Sequence, residues 1–192
     1  MKSKSFVIPT IVLALISLAS AIQLTLEKIE LWKNPNYIPT CSWNPLFSCQ
    51  GPMNSWQSSV FVLPNPIIGI AGFAILALIA FTALFVKFPK WYWTLWLTGV
   101  TAAFGFIIWL ITQSLYDIQA LCIYCMIVWT CVIPIFWITV SEYIKTYYPN
   151  VTWLSYVARA KWALIIASYF TVALMIYLQF SDFFNLLIRT TF

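Results

Sequence analysis

Five apolar stretches of the sequence are each long enough to cross a lipid bilayer as an α-helix, which takes about 20 residues. They lie at about 6–26, 67–86, 91–112, 118–140 and 162–180. None of them alternates apolar and polar residues as the strands of a membrane barrel do. Charged residues make up only 8 % of the chain, against roughly 25 % in soluble domains. We therefore predict an all-α integral membrane protein with a single transmembrane domain over residues 1–192.

The longest connection between these stretches, about 27–66, is rich in proline and too polar to lie in lipid. It is also too short to form a domain of its own, so we expect it to cap one end of a helical bundle. Within it, residues 53–61 have an amphipathic pattern that is typical of a short helix lying along the membrane interface. The other connections are shorter, at about 87–90, 114–117 and 141–161.

Basic residues are distributed unequally between the two ends of these stretches. With the N-terminus in the cytoplasm, seven lie inside (Lys2, Lys4, Lys87, Lys90, Lys145, Arg159, Lys161) and three outside (Lys28, Lys33, Arg189). Membrane proteins show this bias toward the cytoplasmic side. The orientation puts the capping loop and the start of the fourth stretch in the outer compartment. It also accounts for the net charge of +5, so we expect no nucleic-acid partner.

The first stretch has an alternative interpretation as a cleavable signal peptide. Lys2 and Lys4, an apolar run and the small residues at 19–21 resemble such a peptide and its cleavage site. The apolar run continues past that site through Leu26, which favours a membrane-spanning helix.

The reactive side chains of this chain are mainly its five cysteines, because the sequence contains no histidine. Catalytic Ser-His-Asp and Cys-His pairs and histidine-ligated haem are therefore excluded. Most transition-metal sites are disfavoured as well, since imidazole is their commonest ligand. We expect no metal, and we expect the chemistry to depend on sulfur.

Cys122 and Cys125 are three residues apart at the start of the fourth stretch, so they share one helix face. The free N–H groups and the partial positive charge of a helix N-terminus stabilise a thiolate. Such a pair can cycle between dithiol and disulfide. The alternatives are two buried thiols, or half of a zinc site that Cys41 and Cys49 would complete.

Cys41 and Cys49 bracket a seven-residue turn in the capping loop, and a flexible loop can bring such a pair to disulfide geometry. By itself this pair is typical of a structural staple. With a second dithiol in the same compartment, however, the two pairs can exchange by thiolate attack through a mixed disulfide. Cys131 lies nine residues after Cys122 and on the opposite helix face. We interpret it as a packing residue with no part in that exchange.

A thiol relay needs an electron acceptor, and the sequence has neither a metal-ligand set nor a nucleotide-binding motif. A lipid-soluble quinone, menaquinone or ubiquinone, fits a chain of this composition. Ser55 and Asn65 are the polar residues of the capping loop that we expect near its carbonyl groups. The alternative for both is an interface residue that is solvated or that caps a helix.

These features resemble the vitamin K epoxide reductase family, of the bacterial stand-alone type, over about residues 10–140. The matching motifs are Cys41 and Cys49 eight residues apart, Ser55 six residues later, the stretch 64–69 (P-N-P-I-I-G) and the stretch 122–125 (C-I-Y-C). The resemblance implies a four-helix bundle core around a quinone, with a fifth transmembrane helix outside it and an extracytoplasmic capping loop. It also implies the inner membrane of a bacterium as the location.

The resemblance further implies a route for electrons. Cys41 would exchange with a separate thioredoxin-fold, DsbA-like partner, and Cys49 would pass electrons to Cys122. Cys125 would then reduce the quinone, in a pocket that Ser55, Asn65 and Trp129 line. Trp129 stands where the animal enzymes have a tyrosine.

Three functions are thus expected from the sequence. The first is a thiol:quinone oxidoreductase that supports disulfide formation in exported proteins. The second is a reductase of vitamin K epoxide and quinone. The third is a non-catalytic membrane scaffold with a disulfide-stapled loop.

Overall fold

The computed structural model of the protein describes residues 4–44, 46–60 and 63–181. Seven α-helices are described there, and two further short helical segments, with no β-strand in these ranges. The α-helices are α1 (Lys4–Lys33), α2 (Gln50–Asn54), α3 (Asn65–Thr82), α4 (Lys90–Thr112), α5 (Ile123–Tyr147), α6 (Thr152–Arg159) and α7 (Lys161–Gln179). A 3₁₀-helix at Trp56–Ser59 follows α2, and a π-helix at Gln113–Ile118 extends α4.

Five of these helices are long and apolar enough to cross a membrane, and they coincide with the five predicted stretches. The prediction of an all-α integral membrane protein is therefore confirmed. Helices α1, α3, α4 and α5 form the four-helix core, and α7 packs beside α5. A helix satisfies most backbone hydrogen bonds within its own segment, as lipid requires. Pro134 inside α5 removes the donor for the carbonyl oxygen of Thr130, and the Tyr169 hydroxyl of α7 supplies one instead.

Helix α1 packs closely against both α3 and α5 because small residues line its buried face. Thr10, Ala14 and Ser17 have no exposed surface, and Ala21 has almost none. The hydroxyl group of Thr10 donates a hydrogen bond to the carbonyl oxygen of Phe6 within the same helix. This hydroxyl group therefore has a hydrogen-bond partner although it is buried. The small side chains on this face let the backbones of neighbouring helices approach closely.

Several boundaries differ from the predicted ones, because helices continue past the point where apolar residues stop. Helix α1 runs to Lys33, so the first residues of the predicted capping loop 27–66 are helical. The predicted link at 114–117 is helical too, as part of the π-helix. The fourth span begins at Ile123 and not at residue 118, because Gln119 takes a left-handed conformation with φ of 55°.

Two further connections contain secondary structure. Helix α5 extends to Tyr147, and α6 occupies much of the predicted connection 141–161. The interfacial helix predicted at 53–61 is divided between α2 and the 3₁₀-helix, and residue 61 lies outside the described ranges. We call residues 34–60 the cap, because the described part of this segment covers the end of the bundle where α5 begins.

The close packing of α1 yields a test in which one substitution is made at a buried and at an exposed alanine. Ala14→Leu adds three carbon atoms where no space is available, and overpacking of this kind costs about 1–3 kcal/mol. Ala19 lies on the exposed side of the same helix, so Ala19→Leu should change little. Thermal unfolding in detergent should show a lower midpoint for Ala14→Leu alone, and equal midpoints would contradict this packing.

Candidate active site

Three of the four predicted cysteines meet in one buried cluster at the end of the bundle where α5 begins. Cys41 and Cys49 form a disulfide, while Cys122 and Cys125 are free thiols. The sulfur atom of Cys122 lies 3.2 Å from that of Cys49. Cys41, Cys49 and Cys122 are each at most 3 % exposed. A disulfide and a thiol are therefore in direct contact, shielded from water.

A short backbone pairing brings the loop cysteine to the helix cysteine. Phe47 and Leu121 form an isolated parallel β-bridge. The Leu121 N–H donates to the carbonyl oxygen of Leu46 at 2.8 Å, and the Ser48 N–H donates to that of Leu121 at 3.1 Å. Cys49 and Cys122 follow Ser48 and Leu121 directly. The pairing thus fixes the two chain segments next to each other at the point where the sulfur atoms touch.

Cys122 is the N-cap residue of α5, with extended backbone geometry. Its pKa lies below the ordinary value of a thiol because the Cys125 thiol donates a hydrogen bond to its sulfur. The backbone N–H groups of Cys125 and Tyr124 act in the same direction, whereas burial opposes them. These are the unpaired donors of a helix N-terminus. They favour the thiolate, which is the form that attacks disulfides.

Cys125 lies at the boundary between two side-chain clusters. On one side it packs against the sulfur cluster of Cys41, Cys49 and Cys122. On the other side it packs against the apolar interior of the bundle, where Trp129 is buried. Cys125 therefore lies between the cluster of sulfur atoms and the apolar interior of the bundle.

Two adjacent charged residues near the end of α1 hold the cap in place, and sequence reasoning gave neither of them a role at the site. Glu27 is 3 % exposed and Lys28 is 6 % exposed. The Lys28 ammonium donates to the carbonyl oxygen of Met53 at 3.2 Å and to the hydroxyl oxygen of Ser58 at 2.7 Å. Glu27 accepts hydrogen bonds from the loop that precedes Cys41. The sequence signal was a pair of opposite charges at the end of an apolar run.

Gln57 joins the cap to the end of the third span. Its side-chain amide donates to the Gln113 side-chain oxygen at 3.2 Å and, at a shorter distance, to the Asp117 carboxylate. Its backbone carbonyl oxygen accepts a 2.6 Å hydrogen bond from the Asn65 side-chain amide. Gln57 is 2 % exposed. Gln57 therefore connects the cap to the π-helix through its side chain and to the start of α3 through its backbone.

The three residues predicted to line a quinone pocket lie in different surroundings. Trp129 is 4 % exposed, in the apolar cluster that Cys125 also contacts. The Ser55 hydroxyl donates to the carbonyl oxygen of Pro52 at 2.8 Å, as in a turn. Asn65 is bound to Gln57 through its amide nitrogen, and its side-chain oxygen is buried without a hydrogen-bond partner. Of the three, only Trp129 packs in a cluster with Cys125.

Cys131 is buried on α5, about two and a half turns beyond Cys122, and it is not part of the sulfur cluster. Among the residues that the structure describes, no group of three or more His, Cys, Asp or Glu side chains is arranged to hold a metal ion.

Comparison with known protein families matches residues 8–140 to the vitamin K epoxide reductase family. The match covers more than half of the chain, and the chain belongs to this family. It includes all four cysteines of the site, the whole of α3 and α4, and most of α1 and α5. No curated protein and no solved structure matches the chain.

The hydrogen bond from Cys125 to Cys122 predicts a pH effect that two substitutions separate. In a variant without Cys41, Cys49 and Cys131, Cys125→Ser keeps a donor for the Cys122 thiolate, whereas Cys125→Ala removes it. The thiolate loses stabilisation without the donor, so the pKa of Cys122 should rise in the alanine variant. Alkylation of Cys122 by a small reagent should then reach half its maximal rate at a higher pH. Identical midpoints for the two variants would contradict this role of residue 125.

The contact between Gln57 and Asp117 predicts a charge repulsion that a second substitution relieves. Gln57→Glu places a buried carboxylate against that of Asp117, which should cost about 1–3 kcal/mol. Adding Asp117→Asn restores the hydrogen bond in the reverse direction, because the side-chain amide at residue 117 can then donate to the carboxylate at residue 57. The unfolding midpoint in detergent should fall for Gln57→Glu and recover in the double variant. Additive effects of the two substitutions would show that the side chains are not in contact.

Proposed function

We propose that this member of the vitamin K epoxide reductase family is a thiol:quinone oxidoreductase that oxidises a protein dithiol and reduces a membrane quinone. The family supports an oxidoreductase with quinone-linked thiol chemistry, in an integral membrane protein. The observation that carries the proposal is the 3.2 Å contact between Cys49 of the loop disulfide and the free thiol of Cys122. Sulfur atoms that exchange disulfides must reach such a contact.

The first half of the route reduces the loop pair. A thiolate of the partner attacks Cys41, so a mixed disulfide forms and Cys49 leaves as a thiolate. The second thiolate of the partner attacks its own half of the mixed disulfide, which closes the partner's disulfide and releases Cys41. Two electrons have then passed to Cys41 and Cys49.

The second half moves these electrons to the helix pair. The Cys49 thiolate attacks Cys122, so the Cys49–Cys122 bond forms, the Cys122–Cys125 bond breaks and Cys125 leaves as a thiolate. Attack of Cys41 on Cys49 restores the loop disulfide and releases Cys122. The structure holds a loop disulfide together with two free helix thiols, which is the arrangement after this step.

Cys125, Trp129 and Asn65 are the residues that we propose for the quinone side of the site, with Ser55 at its edge. A quinone supplies an acceptor for two electrons and two protons. Cys125 and Trp129 share an apolar cluster that suits the quinone ring. The Asn65 amide oxygen is buried without a partner, and it could accept a hydrogen bond from a hydroxyl group of the hydroquinone product. Gln57 fixes the orientation of the Asn65 amide from the other side.

The partner that we propose is a separate thioredoxin-fold protein of the DsbA type. Seven of the ten basic residues lie at the ends of the spans away from the cap, together with the N-terminus, which supports a cytoplasmic N-terminus. The cap and the cysteines would then face the outer compartment, where disulfides persist. For a bacterial chain this is the inner membrane, and the product is disulfide formation in exported proteins.

Cysteine substitutions test this route with purified protein and dithiothreitol as the electron donor. Cys122→Ala and Cys125→Ala should abolish quinone reduction, because no inner disulfide can form. Cys41→Ala and Cys49→Ala should mainly block oxidation of a protein partner, because a small thiol reaches the inner pair directly. Cys131→Ala is the matched control and should keep both activities.

Quinone reduction that persists in Cys125→Ala would contradict the assigned roles. Turnover of vitamin K epoxide in place of quinone would favour the reductase alternative. If trapped samples contain Cys41–Cys49 and no Cys49–Cys122 species, the chain is a stapled scaffold.

A further inference from the structure

We propose that Glu27 is a positioning residue that holds the Cys41–Cys49 loop against Cys122, so that the two disulfide pairs can exchange. This inference rests on the proposed function, because it concerns the exchange between the loop pair and the helix pair. Glu27 lies on α1, and its hydrogen bonds join it to Gln23, Tyr37 and Thr40. It acts through Thr40, the residue directly before Cys41.

The Glu27 carboxylate is the acceptor for one short segment of the cap. The Tyr37 hydroxyl donates to it at 2.9 Å, and the backbone N–H of Thr40 donates at 3.2 Å. The Thr40 hydroxyl donates to its other oxygen at close range. The side-chain amide of Gln23, one turn earlier on α1, adds a fourth hydrogen bond at 3.3 Å. Three of the four donors thus come from the loop that leads into Cys41.

Within residues 4–44, 46–60 and 63–181, no salt bridge compensates this buried carboxylate. The one salt bridge among the described residues joins Lys33 and Glu30. Lys28, the neighbour of Glu27, donates to Met53 and Ser58 on another part of the cap. Burial of an unpaired charge is unfavourable unless hydrogen bonds satisfy it. The loop residues supply those bonds, so the conformation of the loop and the burial of Glu27 depend on each other.

Thr40 also connects the loop to the helix pair. Its hydroxyl oxygen lies 3.4 Å from the Tyr124 hydroxyl oxygen, and Tyr124 directly precedes Cys125. Its carbonyl oxygen accepts a 3.0 Å hydrogen bond from the Trp43 indole. Thr40 is therefore fixed from α1, from α5 and from within the loop. Thr40 precedes Cys41, one half of the loop disulfide, whereas Cys49, the other half, makes the 3.2 Å contact with Cys122.

Thiolate attack depends steeply on the position of the sulfur atoms, and a displacement of about 1 Å can slow a reaction by about 10²-fold. If Glu27 were replaced by an apolar side chain, Thr40 would lose two hydrogen bonds and Tyr37 one. The loop would then sample positions in which Cys49 lies away from Cys122. Exchange between the pairs should slow, whereas reduction of the inner pair by a small thiol should not.

The experiment isolates one exchange step in a Cys41→Ala background with the inner pair oxidised. The Cys49 thiolate attacks Cys122, the Cys49–Cys122 bond forms, the Cys122–Cys125 bond breaks, and the electron pair leaves on Cys125. Mass spectrometry of acid-quenched, alkylated samples follows the Cys49–Cys122 species with time. Quinone reduction by dithiothreitol is measured in parallel on each variant with all five cysteines present.

Glu27→Leu should slow formation of the Cys49–Cys122 species about 10-fold or more and leave quinone reduction by dithiothreitol within about 2-fold. Glu27→Gln keeps a carbonyl acceptor for Thr40 and Tyr37 and should restore most of the exchange rate. Glu30→Leu is the matched control one turn away on α1, since Glu30 is exposed and bound to Lys33. It should change neither reaction.

An unchanged exchange rate in Glu27→Leu would overturn the inference and leave the proposed function intact. Absence of both the mixed disulfide and quinone reduction in the parent protein would instead overturn the proposed function. If Glu27→Leu loses the dithiothreitol reaction as well, Thr40→Val decides, because it removes only the hydroxyl donor. Slower exchange with normal quinone reduction in Thr40→Val supports the inference, and a normal exchange rate overturns it.

Discussion

The contact between Cys49 and Cys122 depends on a polar cap that is held tightly on the end of an apolar bundle. The cap has no sheet and no long helix of its own in the residues that the structure describes. Its position is set by the β-bridge at Leu121 and by buried polar side chains of the bundle. Because few conformations satisfy all of these groups at once, the loop disulfide has a defined place above the fourth span.

Glu27 and Lys28 illustrate how an apolar helical bundle can hold a polar loop in one position. Adjacent residues on a helix point in different directions, so the carboxylate and the ammonium reach different parts of the cap. Neither forms a salt bridge with the other, and each is satisfied by groups of the cap instead. When only one loop conformation satisfies a buried charge, that conformation is stabilised specifically, because any other loop conformation would leave the charge without hydrogen bonds. An apolar contact would not discriminate so strongly.

The fifth span lies outside the family match and has a simpler relation to the bundle. Helix α7 packs against α5, where the Trp137 indole donates to the Ser168 hydroxyl at 3.0 Å. Tyr169 donates to the carbonyl oxygen of Thr130 at 2.6 Å. Both contacts involve α5 residues beyond Cys125. This helix therefore supports the fourth span from outside. Its later residues also pack into the apolar cluster that contains Trp129 and Cys125.

The sequence by itself determined that the chain lies in lipid, that five helices cross it and that its chemistry depends on paired cysteines. Those features follow from composition, stretch length and residue spacing, which are properties of the local chain. Only the tertiary structure decided where the helices end, since Glu27 to Lys33 and the segment 113–118 are helical although polar. It alone brought Cys49 to Cys122 and gave roles to Glu27, Lys28 and Gln57. Each of those roles is a hydrogen bond between residues far apart in the chain, and no local pattern specifies such a pair.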